Sequence, residues 1–399
     1  MPSVGASLFW IAVCAVIAPL IAGLVPRKLV PEVVLLLIAG VVIGPHGLDI
    51  AVQGSEIGLL RELGLGMLFL LAGYEIDTTE LSGRGGRRAL VTWIGCLALA
   101  FAIIGVLGLT GAISAEIAVA IALTSTALGT LLPILKDSGL IETRLGRTIL
   151  NHGAFGELGP VVAMAILLGS RGAVASLIVL AVFAVLAVAV AFIPASVRRE
   201  GSKLLSIIRL GSETTAQTTV RLTLLLLVTL GSLATVFHLD VILGAFAAGF
   251  ILRRAMPAGD EKLEAKLDGL AFGLLIPVFF ITSGMSIDVS AVAAKPGVLL
   301  AFLVLILVVR GLPVFFAERF DRGPDGTDAP PTARQRGQVA LYAATGLPLI
   351  VAVTQVAVDA GQMSTANASI LVAAGAITVL VLPLSASLLA PKSVEAPVR

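Results

Sequence analysis

Residues 148–170 read TILNHGAFGELGPVVAMAILLGS, a stretch of membrane-spanning length in which Glu157 is the only charged side chain. A helix needs roughly 20 apolar residues to cross the hydrocarbon of a bilayer. An ionised side chain at that depth costs free energy, so it is retained where it faces protein or water and acts on an ion or a proton. Glu157 is therefore the first candidate functional residue.

The composition of the chain is that of a polytopic membrane protein. Its 399 residues are 58% hydrophobic and 13% charged, with a mean hydropathy of +1.06. Continuously apolar runs without period-two alternation predict an all-α protein rather than a β-barrel. About thirteen such runs are long enough to span, near 4–25, 31–43, 56–76, 89–109, 114–135, 148–170, 173–195, 216–237, 239–252, 268–288, 297–317, 337–358 and 364–389. A soluble enzyme is excluded, and we expect no enzymatic activity, cofactor or nucleic-acid partner.

Basic residues predict the orientation, because short cytoplasmic loops retain Lys and Arg. Alternate loops hold the basic groups, and the loops between them hold little more than Arg171 and Lys295. We therefore expect a multi-pass protein of the plasma (inner) membrane with its N-terminus outside and its C-terminus in the cytoplasm. The groups predicted to lie inside are Arg27 and Lys28; Arg84, Arg87 and Arg88; Lys136, Arg144 and Arg147; Arg198, Arg199, Lys203 and Arg209; Arg253, Arg254, Lys262 and Lys266; and Arg319, Arg322, Arg334 and Arg336.

Two halves of the chain share a weak repeat. GYEID at 73–77 and GMSID at 284–288 each end an apolar run, with an offset of 211 residues. Ala39-Gly40 and Ala248-Gly249 are offset by 209 residues. An odd number of predicted helices separates the partners, so the halves are predicted to insert upside down relative to each other. Inverted repeats are typical of secondary transporters, whose ion sites lie where broken helices of the two halves meet.

Two predicted helices carry interruptions near their centres. The fifth contains Thr124, Ser125 and Thr126, and the twelfth contains Thr345-Gly346-Leu347-Pro348. Hydroxyl groups, glycine and proline allow a membrane helix to unwind where protein, water or an ion satisfies its backbone. We expect two crossed, discontinuous helices; a kink in an intact helix is the alternative.

Arg310 is the basic residue that lies midway along an apolar run. A buried arginine stays charged, and Glu157 matches it in depth, so we predict that the two side chains pair. The balance of desolvation and positive charge then sets the proton affinity of Glu157, which binds either a proton or a monovalent metal cation. A purely structural ion pair remains open. Possible access or pH-sensing residues are Asn151, His152 and Glu75.

Several segments resemble a known family. The runs Ala122–Leu128 (ALTSTAL), Leu145-Gly146-Arg147, Leu243–Gly249 (LGAFAAG) and Phe279–Asp288 (FFITSGMSID) are similar to the monovalent cation:proton antiporter superfamily. The similar branch includes the sodium/hydrogen exchangers and potassium-efflux antiporters. The resemblance implies Glu157 as the ion-binding carboxylate, Thr126 and its neighbours as the unwound part of predicted helix 5, and Arg310 as the basic residue of predicted helix 11.

The resemblance also implies a homodimer in the lipid bilayer with a scaffold and a mobile core. The corresponding segments are 1–80 and 216–290 for the scaffold and dimerisation helices, 81–170 and 291–390 for the core, 171–215 for a connector, and 391–399 for a short tail. Three departures stand out: Gly156-Glu157 where the family has a polar residue followed by Asp, Gly346-Leu347-Pro348 where potassium-efflux relatives have Gly-Glu, and no cytosolic nucleotide-binding regulatory domain before Arg399.

The resemblance and the residues together predict an antiporter that exchanges H⁺ for Na⁺ or K⁺, electroneutrally, by alternating access. A symporter of a small organic solute on the same architecture and a membrane sensor that does not transport are the alternatives. Carboxylate, hydroxyl and carbonyl oxygens serve Na⁺, K⁺ and Li⁺ alike, so the sequence leaves the cation open.

Overall fold

The computed structural model of the chain describes residues 2–24, 30–76, 83–109, 115–168, 173–200, 217–256, 260–322 and 329–389, which are helical apart from short connections. The helices are α1 Val4–Leu24, α2 Glu32–Ile43, α3 Ser55–Glu75, α4 Arg84–Leu109, α5 Glu116–Leu123, α6 Leu128–Asp137, α7 Arg144–Leu167, α8 Ala173–Glu200, α9 Thr218–Val236, α10 Val241–Ala255, α11 Glu261–Met285, α12 Val289–Ala294, α13 Pro296–Phe320, α14 Ala333–Ala343, α15 Leu347–Asp359 and α16 Thr365–Leu388.

The predicted fold class is confirmed. Each predicted apolar run coincides with one of these helices, or with a pair of them where the run is interrupted. Within the described residues, nine helical spans, counting α14 and α15 together as one, are long and apolar enough to cross a membrane, and shorter apolar helices accompany them. The predicted connector lies partly outside the described residues, and the predicted tail lies wholly outside them.

Two spans contain a π-helical turn in front of a proline. The turn Ala271–Leu275 precedes Pro277 in α11, and the turn Leu307–Gly311 precedes Pro313 in α13. Proline lacks the amide hydrogen and its ring crowds the carbonyl four residues earlier. A wider turn at that point accommodates the ring without ending the helix. The second of these turns carries Arg310.

The chain divides into two compact units. The first comprises Met1–Asp77 and Val161–Ser290, and the second comprises Thr78–Pro160 and Ala291–Arg399. Whether they act as scaffold and mobile core stays a prediction, as does the dimer.

In the first unit, glycines allow two pairs of helices to pack backbone against backbone. A Cβ on Gly40 of α2 would lie 2.0 Å from the carbonyl oxygen of Ile281 in α11, and one on Gly249 of α10 would lie 1.8 Å from that of Leu70 in α3. The two crossings are related by the sequence offset of the repeat. The correspondence supports the predicted inverted repeat.

In the second unit, α5 and α6 are separated by a short non-helical segment, as are α14 and α15. A hydrophobic cluster closes one end of this unit around Leu131, Ile149, Val314 and Tyr342. The cluster fixes α6 and α7 against α13 and α14.

Candidate functional site

The two interrupted segments meet and bond to each other. The amide of Ala127 donates to the carbonyl oxygen of Thr345 at 2.6 Å, and Ser125 Oγ lies 3.3 Å from the carbonyl oxygen of Gly346. A Cβ on Gly346 would lie 2.2 Å from Ser125 Oγ, so the crossing requires glycine there. Pro348 is the second residue of α15, where its missing amide costs no intrahelical bond.

The crossing gathers four helix ends. α5 and α14 end at it, where the last carbonyl groups have no partner within their own helix, and α6 and α15 begin at it, where the first amides have none. Helix ends carry partial charges, positive at the N-terminus and negative at the C-terminus. The site therefore offers a place for an anion beside α6 and a place for a cation beside α14.

Glu157 lies at the N-terminus of α6, where the helix end favours an anion. Its side chain is buried, and its carboxylate accepts bonds from the backbone amides of Leu128 and Gly129, the first residues of α6. The second oxygen, Oε2, is buried without a hydrogen-bond partner. The neighbouring carbonyl of Gly156 accepts from the Thr126 amide at 2.8 Å, which ties α7 to the unwound segment. Glu157 thus presents one uncommitted oxygen beside the crossing.

Arg310 lies at the C-terminus of α14, where the helix end favours a cation. Its Nε donates to Thr126 Oγ1 at 3.1 Å and to the carbonyl of Ala343, the last residue of α14, at 3.4 Å. Nη2 donates to the carbonyl of His152 at 2.6 Å, and Nη1 lies 3.8 Å from Cys96 Sγ. Arg310 therefore joins α4, the unwound segment, α7 and α14.

The predicted pairing of Arg310 with Glu157 is wrong for this structure. Among the described residues the ion pairs of this unit are formed by other side chains. The two groups lie in the same unit, but each is satisfied by a different helix terminus, Glu157 by the amides of α6 and Arg310 by a carbonyl of α14. Similar depth in the sequence does not specify the direction in which a side chain points.

Gly156 stands where the family resemblance implies a polar residue, and the packing around it explains this difference. A Cβ at this position would lie 2.3 Å from Thr126 Oγ1 and 2.5 Å from Arg310 Nη2. The space that a polar side chain would fill is already occupied by a hydroxyl and a guanidinium group. The polar neighbour of the carboxylate is thus supplied from other helices.

The hydroxyl groups of the crossing bond to carbonyls at the helix ends. Thr124 Oγ1 donates to Ile121, Ser125 Oγ to Ala122, Thr126 Oγ1 to Ala343, and Thr345 Oγ1 to Tyr342. A hydroxyl that donates one bond keeps lone pairs for accepting another. The hydroxyl oxygens of Thr124 and Ser125 therefore keep lone pairs after donating.

The remaining candidates lie apart from the crossing. His152 Nε2 is 2.8 Å from Glu318 Oε1, and both side chains are 1% exposed. Asn151 lies one residue earlier in α7 with its Oδ1 buried and unbonded. Glu75 ends α3 in the other unit. Their roles in access or pH sensing stay predictions.

Sequence reasoning missed Glu318 and Arg88. Glu318 directly follows the predicted run 297–317, and Arg88 belongs to a basic group predicted to lie in a cytoplasmic loop. In the structure α13 continues through Phe320, so Glu318 is buried. Arg88 Nε lies 2.9 Å from Glu318 Oε1. A charged residue directly after an apolar run was the available signal.

Comparison with known proteins identifies the family. The family model for the transmembrane region of sodium/hydrogen exchangers matches residues 12–392. The chain belongs to this family. Its fold is similar to that of the sodium proton antiporter MjNhaP1 from Methanocaldococcus jannaschii at pH 8, with a TM-score of 0.65 and 19% identity over 96% of both chains.

Two curated relatives show the range of proteins that this sodium/hydrogen exchanger family chain resembles. The Na(+)/H(+)-K(+) antiporter GerN of Bacillus cereus is 26% identical over 85% of this chain and 87% of its own length. The glutathione-regulated potassium-efflux system protein KefC of Klebsiella pneumoniae is 29% identical over 76% of this chain and 48% of its own length. The chain spans about half the length of the first curated relatives that it matches.

Proposed function

We propose that the chain is a secondary active antiporter that exchanges protons for a monovalent cation, Na⁺ or K⁺. The observation that carries the proposal is the buried Glu157 carboxylate with one oxygen uncommitted at the crossing of two interrupted helices. Membership of the sodium/hydrogen exchanger family supports it, as do the antiport and potassium efflux for which GerN and KefC are named.

Glu157 binds either a proton or the cation, and the two compete for one site. The amides of Leu128 and Gly129 stabilise the ionised carboxylate when the proton leaves. The hydroxyl oxygens of Thr124 and Ser125 supply neutral ligands of the kind that alkali cations accept. Arg310, bonded to Ala343 and His152 carbonyls, is a fixed charge that holds the crossing together.

The exchange is electroneutral. A carboxylate with a bound proton and a carboxylate with a bound monovalent cation carry the same net charge. Arg310 contributes the same charge in both states because its nitrogen atoms stay committed to backbone and hydroxyl oxygens. One proton therefore crosses in one direction for one cation in the other.

The transport cycle runs by alternating access in a homodimer of the plasma membrane. The core segments 81–170 and 291–390 carry the site past a scaffold of 1–80 and 216–290, with the N-terminus outside and the C-terminus inside. Inverted repeats and crossed, interrupted helices suit such a cycle, because each half provides one of the two access routes.

Exchange in proteoliposomes tests the proposal. An outward gradient of the cation should draw protons in and acidify the lumen, read by a pH-sensitive dye, only when the protein is present. Glu157→Gln should abolish the signal while the protein stays folded. Glu62→Gln, an exposed carboxylate on α3, should exchange at the wild-type rate. Native exchange by Glu157→Gln would contradict the site assignment.

A further inference from the structure

Pro160 lies inside α7, one turn beyond Glu157. It is buried, and the helix continues past it to Leu167. Proline has no amide hydrogen, so it cannot donate to the carbonyl four residues earlier, and its ring crowds that carbonyl. In α7 the carbonyl in question belongs to Gly156. Pro160 therefore leaves the Gly156 oxygen without its ordinary partner in the helix.

The unwound segment supplies a donor for this oxygen. The Thr126 amide donates to the Gly156 carbonyl at 2.8 Å. The prolines of α11 and α13 are accommodated differently, because each is preceded by a π-helical turn within its own helix. α7 keeps α-helical geometry from Arg144 to Leu167. Its displaced carbonyl is satisfied from outside the helix, which avoids the free-energy cost of a buried acceptor without a partner.

Two glycines bring the α7 backbone close to its neighbours at this point. A Cβ on Gly156 would lie 2.3 Å from Thr126 Oγ1, and one on Gly159 would lie 2.2 Å from Cε2 of Trp93 in α4. The Trp93 side chain is buried. α7 therefore packs closely on the unwound segment through Gly156 and on α4 through Gly159. Both contacts fix the position of the α7 backbone around Pro160.

Thr126 connects this bond to the rest of the crossing. Its hydroxyl donates to the carbonyl of Ala343. Leu128, two residues later, donates its amide to the Glu157 carboxylate. The bond from the Thr126 amide to the Gly156 carbonyl joins two backbone groups, so it does not depend on the charge of Glu157. The bond from Leu128 does depend on that charge.

We propose that Pro160 is a positioning residue for cation binding. Because it has no amide, the Gly156 carbonyl stays available to Thr126. The resulting bond holds the unwound segment at a fixed distance from Glu157 while the carboxylate exchanges a proton for the cation. The inference rests on the proposed function. It adds to the site a residue that touches neither the proton nor the cation.

Pro160→Ala restores the missing amide and tests the proposal. An amide at position 160 donates to the Gly156 carbonyl, as in an ordinary α-helix, and competes with Thr126. The KM for the cation should rise by about 2- to 10-fold, the effect of about one hydrogen bond, with a smaller change in the maximal rate. Thermal stability should be unchanged or higher, because alanine is the better residue inside a helix. An unchanged KM overturns the proposal.

Pro383→Ala is the matched control. Pro383 is buried inside α16 of the same unit, and the carbonyl four residues before it belongs to Val379 of that helix and not to the crossing. This variant should keep the wild-type KM, and a rise equal to that of Pro160→Ala overturns the proposal.

A backbone ester separates the amide from the proline ring. The α-hydroxy acid analogue of alanine at position 160 carries an ester oxygen in place of the N–H, so it lacks the ring and also lacks the donor. It should keep the wild-type KM. A KM equal to that of Pro160→Ala would assign the effect to the ring and overturn the proposal.

Hydrogen exchange of the Thr126 amide gives a readout that does not depend on transport. In the purified protein in detergent, this amide should take up deuterium faster in Pro160→Ala than in the wild type and in Pro383→Ala, because its acceptor is then shared with the new amide. Equal uptake by Pro160→Ala and the wild type overturns the proposal. A wild type that transports no cation would instead contradict the proposed function, and the deuterium measurement would still decide whether Pro160 positions Thr126.

Discussion

At the residue scale, Gly156 leaves the space that two polar groups of the site occupy. A methyl group there would overlap Thr126 Oγ1 and Arg310 Nη2. We predict that Gly156→Ala lowers the free energy of unfolding by about 1–3 kcal/mol through overpacking and slows exchange. Thermal unfolding of the purified protein in detergent measures the first effect. Gly95→Ala is the control, since a Cβ at Gly95 in α4 meets nothing within 4 Å; equal stability of both variants would contradict the packing account.

A functional residue is predictable from the sequence where the free-energy cost of burying its charge is evident from the apolar residues around it. Glu157 was found because a lone carboxylate in an apolar run is expensive. Its partner was not, because hydropathy reports depth and not direction, and Arg310 bonds to backbone carbonyls instead. The burial of Glu318 is not predictable from the apolar run 297–317, because α13 continues beyond the end of that run to Phe320.

At the scale of the elements, the Thr126 hydroxyl links the two interrupted helices. It donates to the carbonyl of Ala343 and accepts from Arg310 Nε. We predict that Thr126→Val, which keeps the shape, leaves both groups short of a partner and costs about 1–3 kcal/mol of stability, with a lower rate of exchange. Thr126→Ser should restore most of both. Equal loss in the serine variant would assign the effect to the methyl group.

The interruptions themselves were predictable at this scale. Clustered hydroxyls at 124–126 and the Thr-Gly-Leu-Pro run at 345–348 indicated where backbone groups leave the helix, and the helices end there. The contact between Ala127 and Thr345 is not predictable from the spacing, because hydropathy gives no relation between helices far apart in the chain.

At the scale of the whole molecule, a single shared carboxylate predicts electroneutral exchange. A membrane potential is imposed on proteoliposomes without using potassium, at fixed proton and sodium gradients. The initial rate of exchange should be unchanged. The potential is set by an ion that the protein does not carry, and an ionophore-free sample is the control. A clear dependence of the rate on the potential would contradict a one-for-one exchange at Glu157.

The predicted orientation is a second property of the whole chain. Arg87 and Lys295 are exposed and were assigned to opposite sides of the membrane. In whole cells, an impermeant thiol reagent should label Lys295→Cys and leave Arg87→Cys unlabelled until the membrane is opened. Both natural cysteines, Cys14 and Cys96, are buried, so they give a low background. The reverse pattern would contradict the predicted orientation.

The central claim is that Glu157 holds either a proton or the cation. The most direct measurement is proton release on adding NaCl or KCl to the purified, weakly buffered protein in detergent. We predict about one proton released per chain by the wild type at a pH where Glu157 is protonated, none by Glu157→Gln, and wild-type release by Glu62→Gln. Undiminished release by Glu157→Gln, with choline chloride giving no signal, would contradict the account.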